Sequence, residues 1–128
     1  MLFNLAPHPT TYADCAALFF ALLIGHAFAD YPLQGNFLAL HKNRHYRDPV
    51  RQLPDGLWVH CLFAHSLIQA GFVWMITGRV VLGVTELVLH LVLDVLKCED
   101  RTNIHTDQLL HVICKAGYVI AIQQGWVA

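Results

Sequence analysis

Charge is what this chain has least of. Asp, Glu, Lys and Arg make up 13% of its 128 residues, about half the ~25% of an ordinary soluble domain. With 56% hydrophobic residues, so few charges point to a membrane setting. The net charge of −1 excludes the basic face that a nucleic-acid binder presents. The four cysteines, Cys15, Cys61, Cys98 and Cys114, form no CxxC pair. That argues against a disulfide framework and leaves buried free thiols as the expectation. The start of the chain has no basic region ahead of its first apolar run, so no cleavable signal peptide is expected. No convincing internal repeat is present, and the length is that of one domain.

What is abundant is apolar sequence in four long runs. After a short lead, Thr10, Thr11 or Asp14 can cap a first helix of about residues 13–30. Pro32 ends it, because proline lacks a backbone donor and restricts Tyr31. Residues 31–56 form the only long connection, broken by Pro32, Gly35, Pro49 and Pro54; within it 36–42 (NFLALHK) has a partly amphipathic pattern suited to the interface. Helices at about 57–76 and 79–97 follow with only Thr77-Gly78 between them, which dictates an antiparallel hairpin. A polar connection, 98–106, leads to a last helix at about 107–127. The expected fold is all-α, an integral membrane four-helix bundle with a long cytoplasmic connection between its first two helices. Lys42, Arg44, Arg47, Arg51, Lys97 and Arg101 fall on one side and Arg79 on the other. The positive-inside rule then predicts a multi-pass protein of the inner (cytoplasmic) membrane with both termini outside.

Nine histidines are the second excess. His26 and Asp30 (GHAFAD), His90 and Asp94 (LHLVLD), and Asp107 and His111 (DQLLH) are pairs four residues apart inside apolar sequence. That spacing puts both members on one helix face, about 6 Å apart along the axis. His60 and His65 lie in a fourth run, WVHCLFAH. Five residues turn a helix by about 140°, so both need not face inward; His65 is favoured because Gln69 continues its stripe. The four-span topology carries all these groups to one membrane depth at the cytoplasmic end. The plainer reading of any one pair is a hydrogen bond in a core. Three pairs and a histidine at a shared depth point instead to a metal or proton-handling site.

The candidate metal ligands are His26, Asp30, His65, His90, Asp94, Asp107 and His111. Imidazole with carboxylate suits zinc, manganese or iron. Three carboxylates and four histidines exceed the needs of one tetrahedral ion, which leaves room for two ions bridged by a carboxylate. Gln34 and Gln108 adjoin the motifs as supporting donors. Glu86 lies one turn deeper than His90, and Lys115 one turn deeper than His111. Either they form an ion pair tying two helices, or Glu86 is the catalytic general base beneath the metal. His8, His41, His45 and His105 read as surface residues, and the three tryptophans fall near helix ends as in an aromatic belt.

HAFADYPLQGNF, an apolar stretch with His, LHLVLDVLK and DQLLHVI together resemble the domain-of-unknown-function 3307 family, small bacterial and phage membrane proteins of unassigned activity. The resemblance spans residues 20–115. A fainter one is to membrane-bound metal-dependent hydrolases with His and Asp on their spans. Neither supplies a substrate, so the expected chemistry rests on the residues. It is that of a metal-dependent hydrolase at the cytoplasmic membrane face, acting on a phosphate- or ester-containing substrate held by Arg44, Arg47, Arg51 and Arg101. The alternatives are a metal-ion or proton transporter or channel, and a phage-type partner-binding protein whose metal staples the bundle. Expected partners are membrane lipid, an anionic small-molecule or lipid substrate and a second copy of the chain, with no nucleic acid.

Overall fold

The computed structural model describes residues 8–127, so the first part of the lead lies outside the described residues. Five α-helices and no strand occur among them: α1 Tyr12–Asp30, α2 Gly35–His41, α3 Leu57–Thr77, α4 Val80–Cys98 and α5 Ile104–Gln123. Four are the expected long helices, and α2 is the amphipathic stretch of the long connection.

Local chemistry sets the ends. Thr11 opens α1 with a capping box: its hydroxyl accepts from the Asp14 amide at 3.1 Å, and the Asp14 carboxylate accepts from the Thr11 amide at 3.1 Å. The chain leaves α1 at Asp30, two residues before Pro32. The last helix is displaced from its expected 107–127. It starts three residues earlier because the Asn103 side chain caps the Thr106 amide at 2.9 Å. It stops at Gln123 because Gly125 takes a left-handed conformation (φ 69°) and the Trp126 amide turns back to the Ala121 carbonyl.

The α3–α4 hairpin turns on Gly78, at φ 70°, whose amide closes α3 on the Trp74 carbonyl at 2.7 Å. Beyond the turn the two helices stay close. A Cβ built on Gly83 would lie 3.0 Å from Trp74 Cβ and 3.1 Å from the Ala70 carbonyl oxygen. The long helices pack side by side around a ring, α1–α3–α4–α5 and back to α1, and side chains bridge the α1–α4 diagonal, where the His26 and His90 rings lie 6.1 Å apart; α2 rests on α3.

The ring has two storeys. Toward the start of α1 and the end of α5 the interior is apolar, with Leu18, Leu22, Val73, Ile76, Leu82, Val119 and Ile122 as its core. Toward the other end it is filled by His26, His65, Gln69, His90, Asp94, Asp107 and His111, all buried. The outer surface is the reverse: Phe20, Ile24, Phe28, Phe63, Leu67, Val84, Val88, Val92, Leu109, Ile113 and Ile120 are all exposed. A soluble bundle does the opposite with its polar and apolar faces. α1 and α3 are each long and apolar enough to cross a membrane.

Candidate metal centre

The polar storey is built by helical periodicity. His26 and Asp30 leave α1 on one face, His65 and Gln69 leave α3, His90 and Asp94 leave α4, and Asp107 and His111 leave α5. All seven candidate ligands named above reach this one layer. His60 does not: it is exposed on α3, as the 140° offset from His65 requires. His105 is also exposed.

The tightest group lies between α1, α3 and α4. His65 Nε2 is 3.0 Å from His90 Nε2, 3.3 Å from Asp30 Oδ1 and 3.6 Å from Asp94 Oδ2, and His90 Nε2 is 3.7 Å from the same Asp94 oxygen. Four donors around a tetrahedral ion with bonds of 2.0–2.1 Å sit about 3.3 Å apart. These are four of the six edges of such a tetrahedron and they bracket that length; Asp30, His65 and His90 also place one donor atom each within 4.8 Å of one another. A second group, Asp94, Asp107 and His111, also places one donor atom from each residue within 4.8 Å of the others. In it His111 Nε2 and Asp107 Oδ1 lie 3.5 Å apart, and neither atom has a hydrogen-bond partner among the described residues.

Amides orient the carboxylate and imidazole of α1. Gln69 Nε2 donates to Asp30 Oδ1 at 2.6 Å and Gln108 Nε2 donates to Asp30 Oδ2 at 2.9 Å. Their amide oxygens face the His26 ring nitrogens at 3.2 and 3.3 Å. The His26 ring also stacks obliquely on His111, with centroids 5.0 Å apart, and His111 stacks on His90 at 4.3 Å.

One turn deeper, Glu86 is held from two sides. Lys115 Nζ donates to Oε1 at 2.6 Å and the Tyr118 hydroxyl donates to Oε2 at 2.7 Å. Glu86 and Lys115 are each 1% exposed. Glu86 Oε1 is also 3.4 Å from His90 Nδ1, on the side of the ring away from the tetrad. A carboxylate behind a ligating imidazole is the usual way such a ring is oriented.

Two lysines reach the layer from its open end, Lys42 from the long connection and Lys97 from the last turn of α4; in the sequence both count only among the basic residues of one membrane side. Lys42, at the end of α2, is buried and donates to Asp94 Oδ2 and Gln34 Oε1, each at 2.6 Å. Lys97 lies 2.9 Å from Asp107 Oδ2 and 3.3 Å from Asp94 Oδ1. Lys97 had a sequence signal, since it follows Asp94 by three residues on the same helix. Lys42 had none, because it belongs to a basic run and reaches Asp94 only through the fold. Gln69 appears in the sequence as one step in a stripe and proves to be a clamp on Asp30. In all, four carboxylates face three ammonium groups and four imidazoles.

Outside the bundle, Arg44, Arg47, Arg51 and Trp58 help line a cleft of about 520 Å³. Arg44 already forks onto Glu99 at 2.6 and 2.9 Å, which holds the Glu99 carboxyl below its ordinary range. A smaller hollow of about 210 Å³ lies beside it, lined by Lys42, Arg44, Trp58, Leu62, Val95, Cys98 and Glu99.

The fold and this layer define a class: a helical bundle, apolar outside, whose interior is an imidazole–carboxylate cluster closed by lysines. The family described as Protein of unknown function (DUF3307) matches residues 18–127, and the chain belongs to that family. No curated protein and no solved structure matches it.

Proposed function

We propose that the chain is a multi-pass membrane protein that holds a divalent transition-metal ion, zinc, manganese or iron, between Asp30, His65, His90 and Asp94. Its activity in this reading is metal-dependent hydrolysis of a phosphate or ester substrate at the cytoplasmic face. The observation that carries the reading is the donor tetrad, four side chains from three helices with four of their six donor separations at 3.0–3.7 Å, close to the edge of a metal tetrahedron. Charge supports it. Asp30, Asp94 and Asp107 outnumber Lys97 by two once an arriving cation has displaced Lys42 from Asp94, and one divalent ion balances that difference. An ion held there would lower the pKa of a bound water and orient an ester or phosphoryl oxygen.

The inverted surface supports four spans. α4 and α5 carry Glu86, Asp94, Asp107 and Lys115, all buried, so their lipid-facing sides stay apolar. Inward-facing ionisable groups are how membrane bundles accommodate such residues. Lys42 and Lys97 turn into the bundle, leaving Arg44, Arg47, Arg51 and Arg101 exposed on one side. That bias still favours a cytoplasmic site with both termini outside. The hollow beside Lys42, lined also by Trp58, Leu62 and Val95, is the approach to Asp94 in this reading. Glu86 is engaged by Lys115 and Tyr118, so in this reading it positions His90; acting as the general base would require its release from both. Transport is the weaker reading, because the apolar storey closes the interior of a single chain beyond Glu86 and Tyr118.

The test is elemental analysis of protein purified without a histidine tag, before and after exposure to zinc and manganese, together with turnover on phosphate-ester and carboxylester substrates. Near-stoichiometric metal with metal-dependent turnover is expected. Less than about a tenth of an ion per chain under all conditions would remove the metal centre. Full occupancy without turnover would leave the ion as a structural staple.

A further inference from the structure

We infer that the centre is binuclear: a second divalent cation binds between Asp94, Asp107 and His111, and Asp94 bridges the two ions. The inference rests on the tetrad of the proposed function and extends it to the α4–α5 side of the layer.

Two side chains point to this second position independently of the tetrad. His111 is 1% exposed and Asp107 1% exposed. Their facing atoms, Nε2 and Oδ1, have no hydrogen-bond partner among the described residues and sit 3.5 Å apart. A buried donor or acceptor left unsatisfied costs about 1–3 kcal/mol; at 3.5 Å the two atoms make only a long contact with each other, and a partner placed between them would satisfy both. A cation meets both needs, since the imidazole nitrogen and the carboxylate oxygen each offer a lone pair. Asp94 supplies the third donor of the group. Its Oδ2 faces His65 and His90, and its Oδ1 turns toward Lys97, which it shares with Asp107. One oxygen therefore belongs to each side. A carboxylate used in this way spaces two ions about 3.5–4 Å apart, the arrangement of two-metal hydrolytic sites.

The charges then select the ligand. Lys42 and Lys97 are at the connection end of the bundle, on flexible four-carbon stems that can return their ammonium groups to water. Two divalent ions facing Asp30, Asp94 and Asp107 alone leave one positive charge in a buried site. Lys115 and Glu86 balance each other below. One more anion completes the centre, either a hydroxide between the ions or an oxyanion of phosphate-ester type bridging them. The centre is thus built for an anion across two ions, a hydroxide when the substrate is neutral or the substrate's own oxyanion when it is a phosphate ester.

Manganese binding to the full-length chain in detergent tests this. Bound metal is counted after removal of free ion, and the electron paramagnetic resonance spectrum shows whether the ions are coupled. The wild type should hold two ions per chain with an exchange-coupled spectrum. Asp107→Asn and His111→Ala should each lower the count to one and yield the six-line signal of an isolated ion, with His65→Ala losing the other ion. Inorganic phosphate should perturb the coupled spectrum and leave that of the single-ion variants nearly unchanged. One ion in the wild type, kept in both Asp107→Asn and His111→Ala and lost in His65→Ala, would overturn the second site and leave the proposed function standing. One ion lost in His111→Ala and kept in His65→Ala would overturn both. Two uncoupled ions would overturn the Asp94 bridge. Using both Asp107 and His111 variants covers the case in which one of them fails to fold through loss of the Lys97 contact.

Discussion

Lys115→Met removes the cation from a pair that nothing solvates. In the native chain Lys115 Nζ is 2.6 Å from Glu86 Oε1, and both residues are 1% exposed. An exposed pair is worth about 0–1 kcal/mol, whereas breaking a buried pair by removing one partner costs about 3–5 kcal/mol, because the remaining charge is stranded. Here Tyr118 still donates to Glu86 Oε2 and softens the loss, so about 3 kcal/mol is expected for Lys115→Met. Glu86→Gln should cost at least as much, since it leaves an ammonium group facing a neutral amide. The double variant, Glu86→Gln with Lys115→Met, has no charge left to strand. The amide oxygen of the introduced glutamine can still accept from Tyr118, so most of the loss should return. For a chain of this size about 3 kcal/mol corresponds to a drop of roughly 10 °C in Tm. Thermal unfolding of the four proteins in one detergent gives the coupling energy directly. A double variant as unstable as the worse single, or a coupling below about 0.5 kcal/mol, would refute the pairing as a source of stability.

Lys42→Met removes the ammonium that competes with a cation for Asp94 Oδ2; ion affinity should rise by about tenfold or more, equivalent to ~1.4 kcal/mol, and an unchanged Kd by calorimetric titration would show that Lys42 does not occupy the ion's place. Gly83→Val should force α3 and α4 apart, because the new Cβ meets the Ala70 carbonyl and Trp74 at 3.0–3.1 Å. A cost of about 1–3 kcal/mol in thermal unfolding is expected, and a neutral result would mean that the hairpin has slack. In a background without native cysteines, Gln124→Cys should be labelled by an impermeant reagent outside intact cells and Asn43→Cys should not; the opposite pattern would reverse the orientation. His60→Ala should leave metal content and stability unchanged, since His60 points away from the layer, whereas His65→Ala should lower bound metal.

The helices, and the stripe each turns inward, are written in the residues themselves. Apolar runs bounded by Pro32, the Thr77-Gly78 turn and the polar 98–106 segment mark four long helices, and spacing of four fixes which His and Asp share a face. Helical periodicity is local, so His26 with Asp30, His90 with Asp94 and Asp107 with His111 were legible as pairs, and the offset of His60 from His65 was legible too. The depth match of Glu86 and Lys115 followed from counting turns. The end of the last helix was less legible, because it depends on the Asn103 cap and on Gly125 adopting a left-handed conformation. Which donors meet is a matter of packing alone. That His65 contacts His90 and Asp30, that Asp94 faces two groups at once, and that Asp107 and His111 are left with open atoms depend on how four helices pack in a ring. Lys42 is the clearest case: within its run it looks like any membrane-anchoring base, and only the docking of α2 on α3 brings it to Asp94, 52 residues away. A contact between distant stretches carries no periodic signature, because it is set by packing across the bundle and not by the repeat of any one helix.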